Sequence, residues 1–225
     1  MTLEVLEGAT GPDPRSTIII LHGLGADGND FVPVAEQLDL RSRGTVRYLF
    51  PNAPVRPVTS NGGYRMRAWY DILGTELQGG KGAQDEAGLR ESMALIEELL
   101  AREQERGIPS ERIVLAGFSQ GCAMALLTGV RHASQLAGIV GMSGYLPLAE
   151  LTAAERSPAG QSTPIFLAHG LHDEVVVRQR GQDSRDALVA LGYEVEWHEY
   201  PMPHSVCPEE IADLEKFLLR VLPAV

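Results

Sequence analysis

Between Arg112 and Leu127 the chain reads Arg-Ile-Val-Leu-Ala-Gly-Phe-Ser-Gln-Gly-Cys-Ala-Met-Ala-Leu-Leu, and this stretch constrains the fold most. Ile113 to Phe118 is an apolar, partly β-branched run, too short for a helix, and reads as a buried strand. Ala123 to Leu127 is helix-forming. Gly117-Phe-Ser-Gln-Gly121 lies between them, a G-x-S-x-G pattern in the strand–turn–helix setting of a nucleophile elbow. A strand that reverses into a helix within so few residues brings backbone against backbone at both shoulders. Gly117 and Gly121 leave out the Cβ there. Ser119 then stands at a strained apex with its hydroxyl lifted clear, and the Gln120 N–H opens a helix whose N-terminus favours an anion. Ser119 is the candidate nucleophile; the bland alternative is a chance pattern with Ser119 a plain N-cap.

A strand–turn–helix unit of this kind belongs in a sheet covered on both faces, and the rest of the chain agrees. Further apolar strands are expected at Thr17–His22, Val46–Phe50, Leu136–Met142 and Pro164–Ala168, with a short edge strand at Thr2–Glu7 before a Gly/Pro-rich turn. Helices are expected from Phe31 to Leu40 with Pro33 in the first turn, from Asp85 to Arg106, from Arg178 to Leu191 with Gly192 as C′, and from Pro208 to Leu222. Tyr193, Val195 and Trp197 alternate with Glu194, Glu196 and His198, which predicts a strand with one solvated face. Residues 52–82, rich in Pro and Gly, read as an irregular loop, and a polar connection with a short helix is expected over 147–162. Strands alternating with helices give an α/β fold, a mostly parallel sheet of about seven strands with helices on both faces, in one domain without a large cap.

The 225 residues suffice for one such domain. With 19 basic against 30 acidic residues the net charge is −11, so nucleic acid and anionic membrane surfaces are poor partners. No apolar run approaches the length of a membrane span, and Met1-Thr-Leu-Glu-Val5 lacks the character of a secretory signal. Two cysteines, Cys122 and Cys207, make no disulfide framework and fit a reducing compartment; a cytoplasmic protein is expected. Both read as packing residues rather than nucleophiles.

A serine hydroxyl needs a base to take its proton, and the base needs a third group to fix its tautomer. The chain order that goes with a nucleophile elbow is Ser, then an acid, then His. Of the histidines after Ser119, His132 falls on or just past the elbow helix, and His198 sits on the polar face of an alternating strand. His169 and His172 precede or abut the acid. His204, in Tyr200-Pro-Met-Pro-His-Ser-Val206, leaves the last strand and follows a plausible acid, so it is the candidate base. That acid is Asp173 in Ala168-His-Gly-Leu-His-Asp-Glu174, with Glu174 its competitor. His169-x-x-His172-Asp173 also resembles a metal cluster, but no third strong ligand group follows at a matching spacing. Two backbone donors are needed for an oxyanion: Gln120 N–H, and Leu24 N–H in the glycine-rich loop His22-Gly-Leu-Gly-Ala-Asp-Gly28. Gly23-x-Gly25 lacks the spacing of a nucleotide-binding loop.

Five segments together resemble the phospholipase/carboxylesterase family of α/β hydrolases, which includes bacterial carboxylesterases and acyl-protein thioesterases. They are His22-Gly-Leu-Gly-Ala-Asp-Gly-Asn-Asp-Phe31, Arg67-Ala-Trp-Tyr-Asp71, Gly117-Phe-Ser-Gln-Gly121, His169-Gly-x-x-Asp173 and Pro203-His-Ser-Val-Cys-Pro-Glu-Glu-Ile211. The resemblance implies nucleophile Ser119, acid Asp173, base His204 and oxyanion donors at Leu24 and Gln120. It implies that the segment around Trp69 and Tyr70, with Leu77, lines or supports the acyl site; the two aromatics also read as core residues that anchor the loop. The reaction implied is hydrolysis of short- to medium-chain carboxylic esters through an acyl-enzyme, with longer acyl chains on proteins or lysophospholipids as the alternative. The partner is a small ester or thioester, no cofactor is called for, and a homodimer is compatible with the family.

Overall fold

The computed structural model describes residues 2–74 and 83–224. Nine strands, β1 (Val5–Ala9), β2 (Ser16–Leu21), β3 (Val46–Pro51), β4 (Val55–Val58), β5 (Tyr64–Arg67), β6 (Ile113–Phe118), β7 (Gly138–Met142), β8 (Ile165–Gly170) and β9 (Val195–Tyr200), form two sheets among the described residues. The main sheet has seven strands in the order β1-β3-β2-β6-β7-β8-β9. Within this sheet β1 runs antiparallel to β3 and every other pairing is parallel.

Alternation along the central strands feeds two cores, because successive side chains point to opposite faces. Ile19 and Leu21 join Leu115, Leu126 and Leu167 on one face, while Ile18 and Ile20 join Val114, Val140 and Phe166 on the other. The first face is covered by α2 (Glu86–Glu105), α3 (Gln120–Gly129) and, at its margin, α4 (Ala149–Glu155) and α5 (Arg178–Ala190). The second is covered by α1 (Val32–Ala35) and α6 (Pro208–Val221). Parallel strands buried on both faces read as near-continuous apolar runs. β2, buried along its whole length, is apolar from Ile18 to Leu21, while the buried Thr17 hydroxyl donates to Glu103 at 2.6 Å. Among the described residues no helix is long and apolar enough to cross a membrane.

Helix ends follow their sequence signals. Asp85 caps α2 by accepting the Gly88 N–H at 2.9 Å. α5 ends in a Schellman arrangement in which Gly192, at φ 86°, lets its own N–H reach Val189 O and the Tyr193 N–H reach Leu188 O.

Four expectations need correction. β1 begins later than Thr2 and runs through Gly8 and Ala9, because its partner β3 pairs it from Val5↔Pro51 to Ala9↔Arg47. The helix expected over 31–40 is one α-turn preceded by a tighter turn at Gly28–Phe31. After Glu36 the amides of Gln37 and Leu38 bond three residues back, and the Asp39 N–H is taken by Glu215 of α6. The stretch read as irregular contains the hairpin β4–β5, with Val58 opposite Tyr64. Its signal was Asn61-Gly62-Gly63, where both glycines adopt positive φ. The polar face of β9 is half-buried under α6 rather than solvated. His198 stacks between Phe166 and Tyr200 and bonds Glu196 at 2.7 Å, and Tyr200 donates its hydroxyl to Asp213 of α6 at 3.0 Å.

Candidate active site

β6 ends at Phe118, α3 begins at Gln120, and Ser119 between them has φ 55° and ψ −116°. A β-carbon makes that conformation costly by about 1–3 kcal/mol, so the surroundings have to impose it. They do so from three sides. The Ser119 N–H donates to Met142 O of β7 at 2.9 Å. Gly117 lies so close to the start of α3 that a Cβ would sit 2.2 Å from the Gly121 carbonyl. Gly23 packs its Cα face against Ser119, where a Cβ would meet the serine Cβ at 3.4 Å.

The two loops that follow β8 and β9 bring the other side chains to this apex. His204 lies 2.9 Å from Ser119 Oγ through Nε2, and 2.7 Å from Asp173 Oδ2 through Nδ1. An ionised carboxylate only accepts, so Nδ1 carries the proton and Nε2 accepts the Ser119 hydroxyl. Asp173 Oδ1 takes the Val175 and Val176 N–H groups, each at 2.9 Å. Burial pushes the Asp173 carboxyl up, but the hydrogen bonds from His169, His204 and the Val176 N–H outweigh it and hold the group well below the usual carboxylate range. Phe118 supports the His204 ring from one side, centroid to centroid 4.7 Å.

The acid and base loops are laced together by backbone. Leu171 N–H donates to Tyr200 O at 2.8 Å and His172 N–H to Met202 O at 3.1 Å. Gly170 is what allows this contact, since a Cβ there would lie 2.4 Å from Met202 O and 2.5 Å from Pro203 O. Gly170 carries no role in the sequence reading, although a glycine within a strand, here at its last position, signals close backbone approach.

The remaining candidates separate cleanly. Glu174 is exposed beside the buried Asp173. His169 donates Nε2–H to Val176 O at 2.8 Å and so braces the acid loop from within the core. His172 is exposed, and among the described residues no group of three or more His, Cys, Asp or Glu side chains is placed to hold a metal ion. His132 is buried beyond α3 against Glu97 at 2.8 Å. Cys122 is buried beneath the elbow, its sulfur filling the space left by Gly141 and Gly144, and burial pushes its thiol far up. Residues 4–222 match the sequence model of the phospholipase/carboxylesterase family.

The chain belongs to that family.

The phospholipase/carboxylesterase relatives it resembles include acyl-protein thioesterase 1 of Mycosarcoma maydis, 44% identical over 98% of this chain and 97% of the relative. Acyl-protein thioesterase 1 of Yarrowia lipolytica is 42% identical over 90% of each chain. Among solved structures, Arabidopsis thaliana SOBER1 superposes with a TM-score of 0.87 at 29% identity, over 93% of this chain and all of that one. Acyl-protein thioesterase 2 of Zea mays superposes with a TM-score of 0.81 at 30% identity, over 97% and 99%. The fold is the α/β-hydrolase fold of this family.

Both oxyanion candidates border Ser119. Gln120 N–H opens α3, where the helix dipole favours negative charge, and Leu24 follows Gly23 in the loop after β2. Among the described residues no acceptor meets either N–H. Trp69 and Tyr70 lie beneath this site rather than on its surface. Trp69 is 0% exposed and Tyr70 2%. Neither ring presents a face to a ligand, because both belong to the core beside α2 and α3. Of the readings open for this pair, lining the acyl site, supporting it or anchoring the loop in the core, the burial of both rings excludes lining with a ring face. Leu77, the third residue expected there, lies outside the described residues.

Proposed function

We propose that this chain is a serine hydrolase that cleaves thioesters of long acyl chains, the chemistry of an acyl-protein thioesterase. The observation that carries the hydrolase reading is the unbroken relay from Asp173 Oδ2 to His204 at 2.7 Å and from His204 to Ser119 Oγ at 2.9 Å. Support for the thioester comes from relatives of 38–44% identity named acyl-protein thioesterase 1, which match this chain nearly end to end. That support moves the reading away from the short- to medium-chain esters expected from the sequence.

In the proposed reaction, Ser119 Oγ bonds to the thioester carbonyl carbon while its proton passes to His204 Nε2. The carbonyl electron pair moves to oxygen, where the Leu24 and Gln120 N–H groups meet the charge; one such donor is worth about 3 kcal/mol in a transition state. Asp173 stabilises the imidazolium at the moment it forms. Collapse of the intermediate expels the thiolate, which takes the proton from His204. A thiol of pKa about 8.5 leaves readily, so protonation by His204 is less demanding for a thioester than for an alkyl ester. Water then repeats both steps on the acyl-Ser119 ester and frees the acid.

The test is to measure initial rates on p-nitrophenyl esters from acetate to palmitate and on an S-palmitoylated peptide, for wild type and Ser119→Ala. The expected result is turnover that rises with chain length, includes the peptide thioester, and disappears in the variant. A maximum at acetate or butyrate with no action on the peptide would replace the thioesterase reading by a general carboxylesterase. Equal rates in wild type and variant would remove Ser119 from the mechanism.

A further inference from the structure

We propose that Trp69 is a positioning residue that locks the two oxyanion donors, Leu24 N–H and Gln120 N–H, into register with each other; this rests on the hydrolase reading above. Every polar atom of this fully buried tryptophan is committed, and two of the three bonds go to the segments that carry the donors. Its backbone N–H donates to Gln120 Oε1 at 2.8 Å, and its indole Nε1–H donates to His22 O at 2.9 Å. Its carbonyl accepts the Ser92 hydroxyl, which ties the whole unit to α2. An apolar ring of the same size would fill the space without making the second of these bonds.

On the Gln120 side the clamp is double, because Gln120 Nε2 also donates to Tyr70 O at 2.7 Å. The side chain of the residue whose N–H is the first donor is thus fixed to two successive residues of the 69–70 chain. On the Leu24 side the connection runs through His22. Its Nδ1 lies 2.7 Å from Gly23 O, and its Nε2 lies 3.0 Å from the Ala53 nitrogen. Ala53 can only donate there, so Nε2 accepts and Nδ1 carries the proton that goes to Gly23 O. Burial lowers the His22 pKa and keeps this neutral form.

The consequence for Leu24 follows from peptide geometry. The Gly23–Leu24 bond is trans and planar, so its C=O and N–H point in opposite directions. Holding Gly23 O toward the His22 ring therefore aims Leu24 N–H away from it, and the indole bond to His22 O fixes the residue from which that ring projects. The His22 and Trp69 rings also pack against each other, centroids 5.5 Å apart. Removing the indole N–H takes away the bond that holds His22 O and loosens the His22–Gly23 segment, while Gln120 keeps its backbone anchor. The segment then rests on the His22 ring bonds and on Ala26 N–H to Gly23 O at 3.3 Å.

The experiment uses Trp69→Phe and, as an isostere lacking only the donor, Trp69 replaced by 3-benzothienylalanine. The probe is a long-chain alkyl trifluoromethyl ketone, which adds to Ser119 and places an oxyanion in the hole, with the fatty acid product as a ground-state ligand. In folded protein, kcat and the affinity for the ketone fall together by about 10- to 100-fold, while KM and fatty-acid affinity stay within about threefold. Phe217→Leu, a core change on the opposite face of the sheet, lowers the melting temperature without that pairing. Ketone affinity within twofold of wild type in both Trp69 variants would overturn the proposal, as would an equal loss of ketone and fatty-acid affinity. Wild-type protein that forms no Ser119-dependent ketone adduct by 19F NMR would overturn the hydrolase reading along with it.

Discussion

A Cβ placed on Gly121 would lie 2.0 Å from the carbonyl oxygen of Leu21, a main-chain atom at the end of the neighbouring parallel strand. No rotamer change relieves such a contact, because both sides are backbone. α3 can sit directly against β2 only if residue 121 lacks a side chain, and that approach brings the Gln120 N–H beside the loop that carries Leu24.

Gly121→Ala is therefore expected to cost more than about 3 kcal/mol, beyond the usual range for overpacking. Urea denaturation measures it. A loss below about 1 kcal/mol would mean that the elbow is not confined by β2.

Ser119 offers a complementary test, since its φ of 55° is imposed rather than chosen. Ser119→Ala and Ser119→Gly both remove the hydroxyl and are each expected to lower turnover by about 10⁴- to 10⁶-fold. They differ in the backbone. Glycine relaxes the positive φ, so Ser119→Gly is expected to exceed Ser119→Ala in stability by about 1 kcal/mol. Equal denaturation midpoints would show that the apex carries no strain.

What the sequence made legible is what chemistry dictates locally. Ser119, Asp173 and His204 stand out because a hydroxyl nucleophile, an orienting acid and a base each leave few residue types to choose from, and strand and helix periodicities place them at one end of the sheet. The glycines of the elbow are legible for the same reason. The misread parts depend on partners far away in the chain. Glu215 of α6 takes the Asp39 amide within the span read as helix, and α6 covers the polar face of β9, neither of which is encoded near those elements. Trp69 reads equally as an acyl-site aromatic and as a core anchor of its loop, and the sequence does not show that its N–H and indole N–H end on Gln120 and His22.

The acid is distinguished from its neighbour by paired substitutions. In Asp173→Asn the side-chain oxygen stays with the Val175 and Val176 amides, and the new NH₂ faces His204 Nδ1. The imidazole then carries its proton on Nε2 and donates to Ser119 instead of accepting. Turnover is expected to fall by about 10⁴-fold with substrate affinity little changed. Glu174→Gln is expected to be neutral, and if it proves the damaging change the acid has been misassigned by one residue. Stability supplies an independent check. Asp173 is held below the ordinary carboxylate range, so its charge stabilises the fold at neutral pH, and that contribution is lost as pH falls below about 4. Wild type is thus expected to lose stability relative to Asp173→Asn between about pH 5 and pH 2.

Glu210 behaves in the opposite sense. It is fully buried near the start of α6, and burial pushes its carboxyl up to about 8, the nearby Cys207 amide offsetting only part of that. Tyr200 and Cys122 feel the same charge, and both are pushed up in turn, chiefly by burial. In the unfolded chain Glu210 loses its proton near pH 4.5, whereas the folded protein keeps it until about pH 8. Between those values the folded state holds one more proton than the unfolded state, so raising the pH favours unfolding. Glu210→Gln cannot ionise and escapes this penalty. Its stability relative to wild type is expected to rise from pH 5 to pH 8, by on the order of 4 kcal/mol in total, and to level off above pH 8. Urea denaturation of both proteins at pH 5, 7 and 9 reads the difference directly. A gap that does not widen with pH would mean that the folded protein accommodates the Glu210 charge.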